Sequence, residues 1–224
     1  MKFLIVLGDS LNFPRPNDDY SPNLPEETYF DKVVQGGFAD GYWLMASGGS
    51  TVSDTLKRAR NVAAYIDDSG QGSFTIIVTQ GIVDSSPRPY PRQLSGLFFI
   101  IASILRKFEI NWRHERSRAL LRLWGRPWTT PAKFEALALQ LVDVFRELDA
   151  RILWVRIQEP TSRLKEILGK FSVIRWNERL YRIQSLYPEH FTVIDFHAQL
   201  HPDGQHLTRE DHSSLAKILM EEHL

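Results

Sequence analysis

Cysteine is absent from the 224 residues, which excludes disulfides, thiolate nucleophiles and thiolate metal ligands and gives no pressure toward an oxidising compartment. Also missing is any run of the about 18 apolar residues that a membrane-spanning helix requires. Neither sign of charge is in excess: 27 Lys and Arg face 27 Asp and Glu, so no global field points to a nucleic-acid partner. No Gly-x-Gly-x-x-Gly follows a strand-like run and no Walker loop occurs, which leaves dinucleotide and ATP binding unsupported. Met1 to Asp9 carries one charge before an apolar run, but no small-residue cleavage site follows. No leader peptide is expected, and the expected compartment is the cytoplasm. The remaining composition, 43% hydrophobic and 24% charged, suits one α/β domain over 1–224 with a substantial core.

Against that background the first residues stand out. Lys2-Phe3-Leu4-Ile5-Val6-Leu7 is too short for a helix and reads as a buried parallel strand. It ends at Gly8-Asp9-Ser10-Leu11, where a glycine allows the sharp turn that lifts the next hydroxyl out of the sheet. Near the other end, Phe191 to Phe196 reads as a late strand and leads to Asp203-Gly204-Gln205-His206. A carboxylate and an imidazole three apart on one short loop can act together as orienter and base. A serine hydroxyl needs such a base to become nucleophilic. The assignment is Ser10 as nucleophile, His206 as general base and then acid, and Asp203 as the group that fixes the imidazole tautomer. Asp9 lies on the same turn and is read as an acceptor of backbone hydrogen bonds that holds the loop.

Between these ends, Tyr42–Ala46, Phe74–Thr79 and Arg151–Ile157 read as further strands. Helical periodicity appears in 28–38, 51–67, 94–108, 130–148, 162–187 and 208–224. Thr130-Pro131 opens a stripe of Phe134, Leu137, Ala138, Leu141, Phe145 and Leu148, and Thr208 and Asp211 have capping spacing. Five strands alternating with helices predict an α/β fold, a parallel doubly wound sheet covered on both faces.

The Gly8-Asp9-Ser10-Leu11 turn after an amino-terminal strand and the Asp203-x-x-His206 loop before a last helix resemble the SGNH, or GDSL, family of serine hydrolases. That family holds esterases, lipases, carbohydrate acetylesterases and some acyltransferases. The resemblance implies a three-layer flavodoxin-like fold with a five-stranded parallel sheet, acyl-ester chemistry, and no cofactor or metal. It also implies an oxyanion hole built from Ser10 and a second block, which falls on Met45-Ala46-Ser47-Gly48-Gly49-Ser50-Thr51. Ala46 stands at the customary glycine, with Gly48 the alternative if the loop is shifted. The third block, usually Gly-x-Asn-Asp, falls on Gly81-Ile82-Val83-Asp84. Val83 therefore replaces an asparagine whose side chain would donate to the oxyanion. Removing one such donor costs about 3 kcal/mol. Three local groups could substitute, the Gln80 amide, the Ser85 or Ser86 hydroxyl, and the Arg88 guanidinium, although each is more simply read as a structural group of the loop.

The expected activity is therefore serine-dependent hydrolysis of an acyl ester, an O-acetyl group on a sugar or glycan precursor being the first choice. The alternatives are an O-acyltransferase with the same site, and a noncatalytic binding or accessory protein that retains the pocket. Arg88 and His201 are candidates for substrate binding. A basic and aromatic helical insertion around 106–128 carries Arg106, Lys107, Arg113, Arg116, Arg118, Arg122 and Arg126 among Trp112, Trp124 and Trp128. It could meet an anionic or carrier-linked group, or simply pack its leucines and tryptophans on the body. His197 and His201 near His206 make a metal site formally possible, but the serine reading uses His206 without one. His212 and His223 are expected on a helix surface.

Overall fold

The structure, a computed structural model, describes residues 1–15, 20–22, 24–69, 72–88, 125–159, 172–201 and 206–224. Its centre is one parallel sheet built from β1 (Lys2–Gly8), β2 (Gly41–Ala46), β3 (Ser73–Thr79), β6 (Arg151–Val155) and β7 (Phe191–Ile194), in the order β2-β1-β3-β6-β7. A separate antiparallel pair, β4 (Pro87–Arg88) with β5 (Arg126–Pro127), was not anticipated from the sequence. It pairs the residues that flank 89–124; the expected helix at 94–108 and most of the basic insertion lie outside the described residues.

Every core residue of β1 is buried because helices cover both faces. Ile5 and Leu7 turn to one side with Ile76, Val78, Ile152 and Trp154. There they meet α2 (Val52–Ser69), α4 (Pro131–Arg146) and α5 (Ile174–Leu186). Leu4 and Val6 turn to the other side with Ile77, Leu153, Val155 and Ile194, under α1 (Tyr29–Gln35) and α6 (Arg209–Ile218). This three-layer flavodoxin-like arrangement is the expected fold class. Burial supplies the driving force, with each large side chain such as Phe134, Phe145 or Phe191 contributing about 1.5–3 kcal/mol.

Local signals match the elements they predicted. Thr130 caps α4 by accepting the Lys133 N–H at 3.3 Å, with Pro131 in the first turn, where its missing N–H costs nothing. Thr208 and Asp211 form the capping box that opens α6. The last two strands are shorter than expected. β6 stops at Val155 because the Asn177 side chain binds both the N–H and the carbonyl of Ile157, at 3.0 and 2.9 Å. Of the helix expected over 162–187, only the part from 172 on is described, and there α5 runs Ile174–Leu186.

Candidate active site

Strand β1 ends at the point where the sheet order reverses, with β2 on one side and β3 on the other, which is where open α/β sheets bind ligands. Gly8 makes the ending possible. Its φ is +154°, and a Cβ there would lie 2.5 Å from both the carbonyl and hydroxyl oxygens of Thr79. Asp9 then starts a short 3₁₀ turn over Ser10–Asn12, one carboxylate oxygen accepting the Leu11 N–H at 3.0 Å. The turn is held from below. Buried Asn12 donates to the Asp9 carbonyl at 3.3 Å and accepts from the Tyr29 hydroxyl at 2.6 Å. Burial holds the Tyr29 hydroxyl protonated, far above its ordinary range, which keeps it a donor.

The turn presents the half-buried Ser10 to the histidine. His206 Nε2 lies 3.1 Å from Ser10 Oγ, within reach for proton transfer. Asp203 lies outside the described residues. The loop that carries both is closed at its base, where the His201 N–H donates to the His206 carbonyl at 2.8 Å. Buried Asp211 grips the same base from α6. It accepts the Gln199 and Leu200 N–H groups at 2.8 and 3.1 Å, and the Thr208 N–H and hydroxyl at 2.9 and 2.8 Å. That grip holds Leu200 at a φ of +59°, a left-handed conformation that residues other than glycine seldom adopt.

Asp9 is the electrostatic oddity of the site. It is completely buried, and one carboxylate oxygen has no hydrogen-bond partner among the described residues. Its pKa is pushed up to about 7, first by burial and then by the Asp84 carboxylate, against the lowering effects of the Leu11 N–H and of His206. His212 corrects the surface expectation. It is 1% exposed, stacks on Tyr29, and accepts the Tyr29 N–H at Nδ1, so that burial pushes its pKa down to about 4. His223 is likewise half-buried rather than exposed.

The second and third loops flank the serine. Ala46 is the last residue of β2 and pairs with Gly8. Gly48 lies in the turn beyond it, where an added Cβ would meet nothing within 4 Å. The Gly8 carbonyl receives the Ser47 N–H at 3.2 Å, the Ser50 hydroxyl at 2.8 Å and Arg58 Nη1 at 3.4 Å. Val83 sits in the short helix α3 (Ile82–Ser85), 7% exposed and packed in the core.

The expected substitute donors are engaged elsewhere. Gln80 Nε2 donates to the Ser50 carbonyl at 2.8 Å and to Asp84 at 3.0 Å. The Ser85 and Ser86 hydroxyls donate to the Gly81 and Ile82 carbonyls, as hydroxyls in a tight helical turn do. The Arg88 guanidinium lies 5.1 Å over the Trp128 ring, a cation–π contact. His201 is half-buried and meets Tyr20 edge-on at 5.2 Å. His197 is turned instead to Arg156, at 2.7 Å, and to Asp195, at 3.5 Å.

A narrow apolar cleft with a volume of about 20 Å³ lies against the residues that follow the serine and the histidine. Leu11 and Leu207, the residues after Ser10 and His206, form part of its wall with Ile82, Val155, Ile157 and Leu200. Asp84 is a supporting group that the sequence did not single out. Its buried carboxylate accepts from the Val52 N–H at 2.9 Å, from Gln80, and from the Thr129 hydroxyl at 2.6 Å. It stands at the aspartate of the third block, but its supporting role is not legible there, because two of its partners, Val52 and Thr129, lie 32 and 45 residues away. No helix among the described residues is long and apolar enough to cross a membrane.

No protein-family model matches the sequence, and no curated protein matches it. Solved structures do. A lipolytic protein of the G-D-S-L family from Veillonella parvula superposes with a TM-score of 0.59 at 11% identity, over 100% of this chain and 98% of that one. A carbohydrate acetylesterase family member from Sinorhizobium meliloti gives 0.59 at 14% identity, over 98% and 95%. A psychrotrophic esterase from Pseudoalteromonas, crystallised as a monoethylphosphonate-inhibited form, gives 0.55 at 12% identity, over 98% and 94%. At these identities the likeness is one of fold, and it spans nearly the whole chain.

Proposed function

We propose that this chain, built on the fold of the GDSL-type lipolytic esterases, is a serine-dependent ester hydrolase. The observation that carries the reading is the 3.1 Å contact between Ser10 Oγ and His206 Nε2 at the carboxyl edge of the sheet. His206 takes the Oγ proton as Ser10 attacks the ester carbonyl carbon. The tetrahedral oxyanion collapses, the ester C–O bond breaks, and His206 returns the proton to the departing alcohol. Water then attacks acyl-Ser10 with His206 again as base, releasing the acid and restoring the serine. Asp203 orients the imidazole, an assignment that rests on its spacing from His206.

The oxyanion would be held by the Ser10 N–H and by that of Ala46 or Gly48. Val83 supplies no side-chain donor, so turnover about 10²–10³ below that of a site with the full set is expected. The narrow cleft walled by Leu11, Ile82, Val155, Ile157, Leu200 and Leu207 has room only for a small acyl group, and the acetyl ester of a sugar is the first substrate to test. Arg88, His201 and the basic 106–126 segment are proposed contacts for the alcohol side, the last for an anionic or carrier-linked group. Transfer to a sugar hydroxyl would use the same acyl-Ser10. Acetate release from acetylated sugars, with and without added sugar acceptors, separates hydrolysis from transfer, and absence of both would favour the binding-protein reading.

A further inference from the structure

Just past the end of the third strand stands a side chain whose polar atoms are all in use. Gln80 is 2% exposed. Its Nε2 donates to the Ser50 carbonyl and to Asp84, at 2.8 and 3.0 Å, while its Oε1 accepts from the Thr55 hydroxyl at 2.9 Å. One amide therefore joins the β2–α2 turn, the first turns of α2, and the turn after β3. The Ser47–Ser50 turn is tied on its other side to the Gly8 carbonyl, two residues before Ser10, through Ser47 N–H and the Ser50 hydroxyl. The position of this turn relative to Ser10 is thus set by two anchors, Gly8 and Gln80.

We infer that Gln80 is a positioning residue for the oxyanion site, fixing the 46–49 backbone so that the N–H of Ala46 or Gly48 faces the carbonyl attacked by Ser10. The inference rests on the serine-hydrolase reading above and adds to it the group that maintains the hole when Val83 contributes no amide. A donor acts in the transition state only if it is already aimed where the charge will develop, since reorganisation during the reaction cancels its benefit. With fewer donors, each remaining N–H matters more, and so does the clamp that holds it. An amide suits the task because it donates to the Ser50 carbonyl and accepts from Thr55 at once.

The test uses Gln80→Met, which keeps the side chain's length and removes its hydrogen bonds. Turnover of an activated acetyl ester and the rate of Ser10 labelling by a fluorophosphonate are measured well below the melting temperature. Both should fall at least about 10-fold with KM for the ester unchanged, the pattern of a group felt only in the transition state. A packing role alone would lower the melting temperature and leave the labelling rate of folded protein intact, and that result overturns the inference. If Gln80→Met does not fold, Thr55→Val decides. It frees one end of the amide, and a fall of about 3-fold in labelling rate supports the clamp, whereas an unchanged rate rejects it. If the parent protein is not labelled at Ser10, the serine-hydrolase reading itself fails and this inference goes with it. Parental labelling with unaltered variants rejects the clamp alone.

Discussion

Ser10 and His206 are 196 residues apart in sequence, yet their Oγ and Nε2 atoms lie 3.1 Å apart. The two come from opposite ends of the chain and are held by separate polar supports. Asn12 and Tyr29 hold the serine turn, and Asp211 holds the histidine loop. If this pair is the proton-transfer couple, Ser10→Ala and His206→Ala should each lower ester turnover by about 10³-fold or more while leaving the circular dichroism spectrum unchanged. Steady-state rates measured beside the spectra check this, and activity equal to the parent's in either variant would exclude the pair.

The grip of Asp211 leads to a separate expectation. Asp211→Ala strips the acceptor from Gln199 N–H, Leu200 N–H and Thr208 and unmakes the α6 cap. Lost caps and unpaired buried donors together should cost at least about 2 kcal/mol of stability. Turnover should fall as well, since the base of the His206 loop is released. Chemical denaturation and steady-state kinetics on the same preparation measure both effects.

Much of this arrangement could be read from the sequence because the informative residues act locally. Gly8 and Ser10 follow a strand within one turn, Asp203 and His206 are three apart, and Thr208 and Asp211 cap a helix across one turn. The stripe from Phe134 to Phe145 needs only helical spacing. What escaped depends on distant partners. Gln80 reads as either a substitute donor or a structural loop group, and the sequence cannot name the partners that make it structural, because Ser50 and Thr55 lie 30 and 25 residues earlier. His212 looked like a surface residue between Asp211 and Ser213, yet the packing of α6 on α1 places its ring on Tyr29. The small β4–β5 pair escaped because two residues on each side carry no periodicity.

Asp9 yields a pH dependence whose sign follows from its environment. Its folded pKa of about 7 stands above the ordinary carboxyl value of 3.8. Between those two values the folded protein keeps a proton that the unfolded chain has released. Stability from this group is therefore full below about pH 4, falls as pH rises through the window, and stays low above about pH 7. Asp9→Asn retains an acceptor for the Leu11 N–H and removes the titration. Urea midpoints at about pH 5 and about pH 8 should drop more for the parent than for the variant, and parallel drops would count against a buried, protonatable Asp9.

Val83→Asn tests the missing donor directly. An amide placed where Val83 is 7% exposed among apolar neighbours should cost about 1–3 kcal/mol, read as a lower denaturation midpoint. Turnover of a simple acetyl ester should rise if the added N–H₂ turns out of the core and reaches the oxyanion at Ser10, where valine can donate nothing. Rates and midpoints for parent and variant report the two effects separately.

The most direct measurement of the central claim is reaction of the intact protein with a small fluorophosphonate, followed by mass-spectrometric mapping of the modified residue. An activated serine is expected to give one phosphonyl adduct, on Ser10, lost in Ser10→Ala and slowed by His206→Ala. A parent protein that stays unmodified, or is modified elsewhere with Ser10 intact, would contradict the assignment of Ser10 as the nucleophile.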